Sequence, residues 1–474
     1  SMTDIPEFVA VILAATTGAR LFPMTSPGMP KHLLPIAGVP SVLRLLHAVA
    51  ASGFTQCVVA LASSDSATMA LLKQDIGQDD MFQETSMKVT LLTLSQDCTG
   101  SAEALRKASE LISEKSNMVV MPGDLVVMET SVLSNLMNAH RQSNLPPNYL
   151  STACTMLLAN VGEQDENGIP LKESSKQKRG GLARVEEDIE YIALSHSPKK
   201  QPRVVWKQSK IDVEEDEDMV GHTPKLVLPK PRLYGAGEYV QVSRDCADLH
   251  VYVLSPWVRT LLRERHSLLS IQGDGIPLVV SRQFRGMRQT FGSRVEESVV
   301  NEAMRVFEAC DLVSLALHTG PPGDEYAVRA HVLNGWVALR ASTIPSYLYA
   351  CKEVMTKALE DEDRNNPCLF LPPKTRTNDK FHWIALEGSE MGEKVQCRST
   401  TVGRLSKLSA KCRLNNVVVM DNVSIGENCV IQNSIIGAGC KIDEKCSLND
   451  CQVAPGKLVP AMTKEKGESL IDDM

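Results

Sequence analysis

Residues 402–453 read VGRLSKLSAKCRLNNVVVMDNVSIGENCVIQNSIIGAGCKIDEKCSLNDCQV, and their spacing decides the C-terminal fold. Aliphatic residues step along at Val402, Leu408, Leu414, then Val419, Ile425, Ile431, then Ile436, Ile442, Leu448, then Val453. The intervals are six, six and five, three times over, so each cycle takes seventeen residues. Cys412, Cys429 and Cys446 return at the same interval, as do Asn416, Asn433 and Asp450. Small residues follow several of the aliphatics: Gly403, Gly426, Gly437 and Ala454. A flat sheet alternates with period two and does not return at seventeen. A three-sided coil does: each face is a short strand with one inward aliphatic residue, and stacking brings like residues into columns. The pattern predicts a left-handed parallel β-helix over 398–465. Its cysteines are expected to be small apolar fillers, since no compact tetrahedral ligand set accompanies them.

Working outward toward the N-terminus, the chain becomes an alternation of strands and helices. Val9–Ala14, Cys57–Leu61, Val89–Leu94 and Met118–Met121 are short apolar runs of strand length. Pro40-Ser41 opens a helix with apolar residues at Val42, Leu45, Leu46 and Val49, and Gly53 follows its end. Buried strands separated by helices imply a parallel, Rossmann-like sheet. The fold class is therefore α/β, with a Rossmann-like domain over 6–305. A connecting segment, 306–397, holds a helix near Tyr347–Leu359 and a proline-bearing linker at Asn365–Lys380. Residues 161–181 read as a solvated loop and DVEEDED (212–218) as a solvated acidic linker.

Composition narrows the function. The 474 residues carry a formal charge of −7, which argues against a nucleic-acid footprint. No apolar run reaches the ~18 residues of a membrane span, and no secretory signal is evident at the start. The thirteen cysteines contain no Cys-x-x-Cys pair and read as reduced thiols of a cytosolic protein.

Residues 8–36, FVAVILAATTGARLFPMTSPGMPKHLLPI, resemble the opening of the sugar-nucleotide pyrophosphorylases. In that family the strand is followed by Gly-Gly-x-Gly-Thr-Arg-Leu-x-Pro and then by Lys-Pro-x-x-Pro. The resemblance places Arg20 and Lys31 at the triphosphate- and phosphate-contacting cations. It also places Asp124, in a Gly-Asp pair after a strand, at the metal-binding aspartate. Gly100-Ser101-Ala102-Glu103-Ala104-Leu105 resembles the segment that approaches the base. Arg20, Lys31, Gly100 and Asp124 are thus expected as a vestigial nucleotide-binding set, with no catalytic residue, no resident metal and no cofactor. The reason is departure from the family pattern. Ala15 and Thr16 stand where glycines would let backbone close on phosphate. His32 replaces a proline. In Asp248-Leu249-His250-Val251-Tyr252, which resembles the sugar-contacting Asn-Ala-Gly-x-Tyr, a histidine replaces the glycine. No Glu-Lys-Pro segment is found near Trp206-Lys207-Gln208.

A degenerate pyrophosphorylase-like domain followed by a β-helix resembles the gamma-subunit family of eukaryotic translation initiation factor 2B. Gly275–Phe284 (GIPLVVSRQF), His331, Tyr347–Ala350, Ser424–Glu427 and Ser434–Gly437 carry that resemblance. It implies a non-catalytic structural and regulatory subunit of a guanine-nucleotide exchange complex in the cytosol. Its partners would be the epsilon subunit, the alpha, beta and delta subunits, and initiation factor 2 as client, without direct contact to nucleic acid or membrane. The short stretch after Val453 leaves no room for epsilon's helical exchange domain, which favours gamma over epsilon. The competing reading is an active pyrophosphorylase of the mannose-1-phosphate guanylyltransferase or glucose-1-phosphate adenylyltransferase type, which requires the glycines missing at 15 and 16.

Overall fold

The computed structural model describes residues 5–15, 18–25, 29–78, 85, 87–95, 97–98, 100–144, 151–161, 188–197, 201–211, 213, 239–283, 326–361 and 366–471. All but Val161 of the expected loop at 161–181 and all but Val213 of the acidic run lie outside these. The chain divides into two compact units. One comprises Ser1–Ala15, Val49–Pro122 and Ser131–Ala338, and the other Thr16–Ala48, Gly123–Thr130 and Leu339–Met474.

Among the described residues, the first unit is built on a sheet of ten strands. They are β1 (Phe8–Ala14), β2 (Gln56–Ala62), β3 (Lys88–Leu94), β4 (Asn117–Pro122) and β5 (Ser151–Asn160), then β6 (Glu190–His196), β7 (Arg203–Ser209), β8 (Tyr239–Ser243), β9 (Cys246–Leu254) and β10 (Tyr326–Asn334). Their order in the sheet is β8-β6-β7-β10-β5-β9-β4-β1-β2-β3. The four apolar runs picked out in the sequence are β1 to β4, and they pair in parallel as expected. Val9 to Ile12 of β1 are fully buried, as a parallel strand covered on both faces requires. Beyond β4 the sheet is mixed: β9 runs antiparallel to both β4 and β5, while β10 runs parallel to β5.

β10 also corrects the expected boundary, because a sheet strand at 326–334 lies within the segment read as connecting. Its run YAVRAHVLN interrupts the apolar residues with Arg329 and His331, which hides it from a hydrophobic scan. Arg329 is nonetheless buried and donates to the Gln201 carbonyl at 3.1 Å.

In the second unit the expected helix is Ile344–Glu360, capped by a reciprocal Thr343–Ser346 box. It buries Tyr347, Ala350, Cys351, Val354, Met355 and Ala358. The Tyr347 hydroxyl donates to the Pro35 carbonyl at 2.7 Å.

The start of the expected linker is a clamp. Fully buried Arg44, in the helix Ser41–Ala51, donates to the carbonyls of Cys368 (2.8 Å), Ile36 (2.9 Å) and Phe370 (3.2 Å). Its guanidinium also lies over the Phe370 ring. Three carbonyl oxygens take up donors of this buried guanidinium and offset part of the cost of its burial.

The C-terminal part is a left-handed parallel β-helix with three faces, and its sheets hold seven, five and five strands. Every aliphatic of the repeat, from Val402 to Val453, is buried. The stack begins before residue 398: Trp383–Ala385 pairs in parallel with Thr400–Val402, and Glu390–Met391 with Lys407–Leu408. The first coils use Ala385, Met391 and Cys397 as inward residues, so the aliphatic pattern fades there although the backbone period persists.

The structure also explains the asparagine column. Asn416, Asn433 and Asp450 turn a corner at φ 54, 47 and 55. Left-handed backbone costs most residues about 1–2 kcal/mol, and Asn and Asp tolerate it best. The Asn416 side-chain amide also donates to Asn433 at 2.9 Å. The cysteines fill a second set of positions and use their weak donors. Cys412, Cys429 and Cys446 each donate S–H to a carbonyl fourteen residues on, at 3.0–3.1 Å.

Candidate functional site

Of the residues expected to bind nucleotide, Lys31 and Asp124 come together, and they meet each other. Asp124 sits in the tight turn between β4 and the strand Leu125–Val127, and it is fully buried. Its carbonyl accepts from the Ala341 N–H at 2.9 Å. Lys31 lies in the single 3-10 turn Lys31–Leu33 that follows Pro30. Gly18 makes room for it. That residue has φ 82, and a Cβ there would stand 2.7 Å from Lys31 Cβ. The one glycine kept from the family triplet is thus accounted for by how the lysine stem packs.

Lys31 Nζ donates to Asp124 Oδ2 at 2.8 Å. A third residue, which sequence reasoning missed, completes the group: Arg340 donates from Nη2 to Asp124 Oδ2 at 3.1 Å and Oδ1 at 3.4 Å. Arg340 ends the strand Ala338–Arg340, which pairs with Leu125–Val127. Only that long-range pairing brings it to Asp124, so no local signal announces it.

Burial by itself would push the Asp124 carboxyl up. Arg340 and then Lys31 outweigh burial and hold it well below the usual carboxylate range. For Lys31 burial is the larger influence, and it lowers the ammonium's pKa against the upward pull of Asp124.

This donor set does not fit a divalent cation. Magnesium needs oxygen ligands in near-octahedral array. Here the one carboxylate is already neutralised by two cations, and among the described residues no cluster of three His, Cys, Asp or Glu side chains could complete a site. Arg20 belongs to the same unit, in the middle of the 3-10 turn Ala19–Leu21, with its side chain exposed. Its positive charge contributes to lowering the Lys31 pKa. Ala15 is half-buried, and Thr16 lies outside the described residues.

Gly100 belongs to the other unit. Its backbone is extended and leads into the helix Ser101–Ser109. A Cβ there would lie 2.2 Å from the Leu269 carbonyl oxygen, which accepts from the Ala102 N–H at 3.0 Å. Close backbone approach explains this glycine. Arg106 of the same helix donates to the Leu262, Arg265 and Leu268 carbonyls and so fixes the segment that reaches Leu269.

A second buried cluster in that unit joins two places the sequence treats separately. The irregularity in β9 between Asp248 and Val251 puts His250 at φ 57, a left-handed conformation where the resembled segment has glycine. The His250 N–H donates to Asp248 Oδ1 at 2.8 Å. Lys207 of β7 donates to Asp248 Oδ2 at 2.6 Å and lies 3.1 Å from Glu190 Oε1. The Tyr252 hydroxyl donates to the same Asp248 oxygen at 2.7 Å. Lys207 therefore has a defined partner, although its sequence neighbourhood lacks the Glu-Lys-Pro pattern.

One ammonium faces two carboxylates. Burial outweighs Lys207 at Glu190 and raises that carboxyl, whereas Lys207 and His250 overcome burial at Asp248 and lower it. Burial opposes the Lys207 charge, but Asp248 and Glu190 together raise its pKa. In each cluster the charges pair among themselves.

Comparison with known proteins agrees with the architecture. The family model described as Nucleotidyl transferase matches residues 9–168, and the GMPPB C-terminal domain matches residues 387–460. The chain is similar to translation initiation factor eIF2B subunit gamma of Schizosaccharomyces pombe, at 27% identity over 287 residues. That match takes in 60% of this chain and 54% of the relative, so the chain spans about half of that protein's length. It is also similar to the bifunctional protein GlmU of Syntrophomonas wolfei, at 26% identity over 30% of this chain and 28% of that one. A UTP–glucose-1-phosphate uridylyltransferase of Staphylococcus haemolyticus is 22% identical over 28% of this chain and 51% of its own.

Proposed function

We propose that this chain, which carries a nucleotidyl transferase domain and is similar to an initiation factor 2B gamma subunit, is a non-catalytic subunit of a guanine-nucleotide exchange factor in the cytosol. One observation carries the loss of catalysis. The aspartate in the metal-binding position of the transferase pattern is buried between Lys31 and Arg340. Nucleotidyl transfer and its reversal by pyrophosphate need a cation to spread the charge on the α-phosphate and pyrophosphate oxygens. A carboxylate whose charge is already matched by the chain's own cations is poorly disposed to recruit one. An exchange factor forms no bond of its own and works by loosening its client's nucleotide site, so it has no need of that ion.

In this reading the partner is an epsilon-type subunit, with alpha, beta and delta subunits completing the assembly and initiation factor 2 as client. Arg20, Lys31, Gly100 and Asp124 remain as a vestigial nucleotide site. The chain would raise exchange by holding client and catalyst in the productive orientation, which removes part of the entropic barrier to their encounter.

The test follows release of a fluorescent GDP analogue from initiation factor 2. This chain alone should leave the rate at background, epsilon alone should raise it, and both together should exceed epsilon alone. Full activity from this chain by itself, or no effect on epsilon, overturns the proposal. A separate measurement addresses the transferase reading. Incubation with each common nucleoside triphosphate, a hexose-1-phosphate (mannose, glucose or N-acetylglucosamine) and magnesium should release pyrophosphate no faster than a blank. Sustained turnover would restore the pyrophosphorylase assignment.

A further inference from the structure

The third face of the β-helix is made of Gln396–Arg398, Arg413–Asn415, Val430–Gln432, Ser447–Asn449 and Lys464–Lys466, stacked in parallel register. The middle residue of each strand points inward, and the flanking residues point out. Four of the outward residues are cations: Arg398, Arg413, Lys464 and Lys466, all exposed. None of the outward residues is a carboxylate, since Glu465 holds the inward position of its strand.

Four exposed lysines elsewhere on this part of the chain have carboxylate partners, while Lys394 and Lys411 have none among the described residues. Lys374 pairs with Glu387, Lys407 with Glu390, Lys441 with Asp443, and Lys445 with Glu444. No ion pair or side-chain hydrogen bond reaches the four cations of the third face from any described residue. On a protein of net charge −7, four cations on one rigid, flat face make a local positive field able to attract an anionic partner.

Their arrangement narrows what that is. Strands of neighbouring coils are ~4.8 Å apart. Arg398 and Lys466 lie in one outward column four strands apart, ~19 Å, and Arg413 and Lys464 lie in the other, three strands apart, ~14 Å. The centre between the two pairs is uncharged, with Val430 and Gln432. A nucleic acid or an anionic lipid surface presents closely spaced phosphates and suits a continuous basic track. Two cation pairs around a neutral centre suit a polypeptide with carboxylates at both ends of a short uncharged stretch. The arginine forks at one end match carboxylates well.

We propose that this face docks an acidic segment of another protein, gripped at its two ends by Arg398 with Arg413 and by Lys464 with Lys466. The proposal stands apart from the exchange function. The test uses the full chain and a fluorescein-labelled synthetic peptide with a Glu-Glu pair at each end of a six-residue Ser/Gln/Val centre, read by anisotropy at low salt. Arg398→Glu with Arg413→Glu, and separately Lys464→Glu with Lys466→Glu, should each weaken binding at least tenfold. Lys407→Glu with Lys441→Glu, on the neighbouring face, should change it less than twofold. All six sites are exposed, and unchanged thermal unfolding will show that the variants fold. Absence of binding by the wild-type chain, or equal binding by all three variants, overturns the proposal. So does tighter binding of a single-stranded RNA 20-mer or of phosphatidylserine vesicles that the same charge reversals abolish.

Discussion

Replacing Asp124 with leucine is expected to lower the stability of its unit by about 3–5 kcal/mol, the usual cost of removing one partner from a buried charge group. The carboxylate is fully buried, and Lys31 and Arg340, which it holds, are mostly buried as well. Its loss leaves two desolvated cations facing one another. Replacing all three residues together, with Lys31→Met, Asp124→Leu and Arg340→Met, should restore most of that loss, because an apolar group of similar volume often equals a buried ion cluster in stability. A triple variant as unstable as the single one would show that the cost lies in packing and not in charge.

The same residue predicts an acid limb. The folded-state pKa of Asp124 is depressed, so its stabilising contribution is complete above the unfolded-state value of about 3.9 and is lost as pH falls below it. The stability difference between wild type and Asp124→Leu should therefore be constant near neutrality and shrink below about pH 4. Hydrogen exchange of peptides from 29–48 and 339–360, measured across that range, reads the effect in the unit concerned.

In the β-helix, Ile425→Asp or Ile442→Asp should each cost more than about 4 kcal/mol. Both isoleucines are buried and stand one above the other in adjacent coils. The substitution forfeits about 1.5–3 kcal/mol of apolar burial. It also forces a carboxylate into a column of aliphatic residues with no donor at hand. Glu427→Lys, at an exposed position two residues after Ile425, should be nearly neutral. Thermal unfolding followed by exchange of peptides from 376–471 separates these outcomes. Equal destabilisation by all three would contradict the observed register.

The sequence by itself determined the β-helix, because one inward residue per face at intervals of six, six and five leaves no other way to bury every aliphatic. It also determined the parallel half of the sheet, where β1 to β4 are uninterrupted apolar runs. Local chemistry sufficed in both cases. It was insufficient for β10, whose Arg329 and His331 break the apolar pattern and whose place beside β5 depends on a pairing across more than 150 residues. The first coils of the stack escaped for a similar reason: Ala385, Met391 and Cys397 keep the period without the aliphatic signal.

The candidate site divides in the same way. Lys31 and Asp124 could be picked out because each lies beside a strand end in a recognisable local motif. That they neutralise each other, that Arg340 is the third member, and that Lys207 is matched by Asp248 were decided only by the tertiary structure. Electrostatic partnership depends on distance and burial, and residues 93 and 216 positions from Asp124 have no distance to it until the chain is folded.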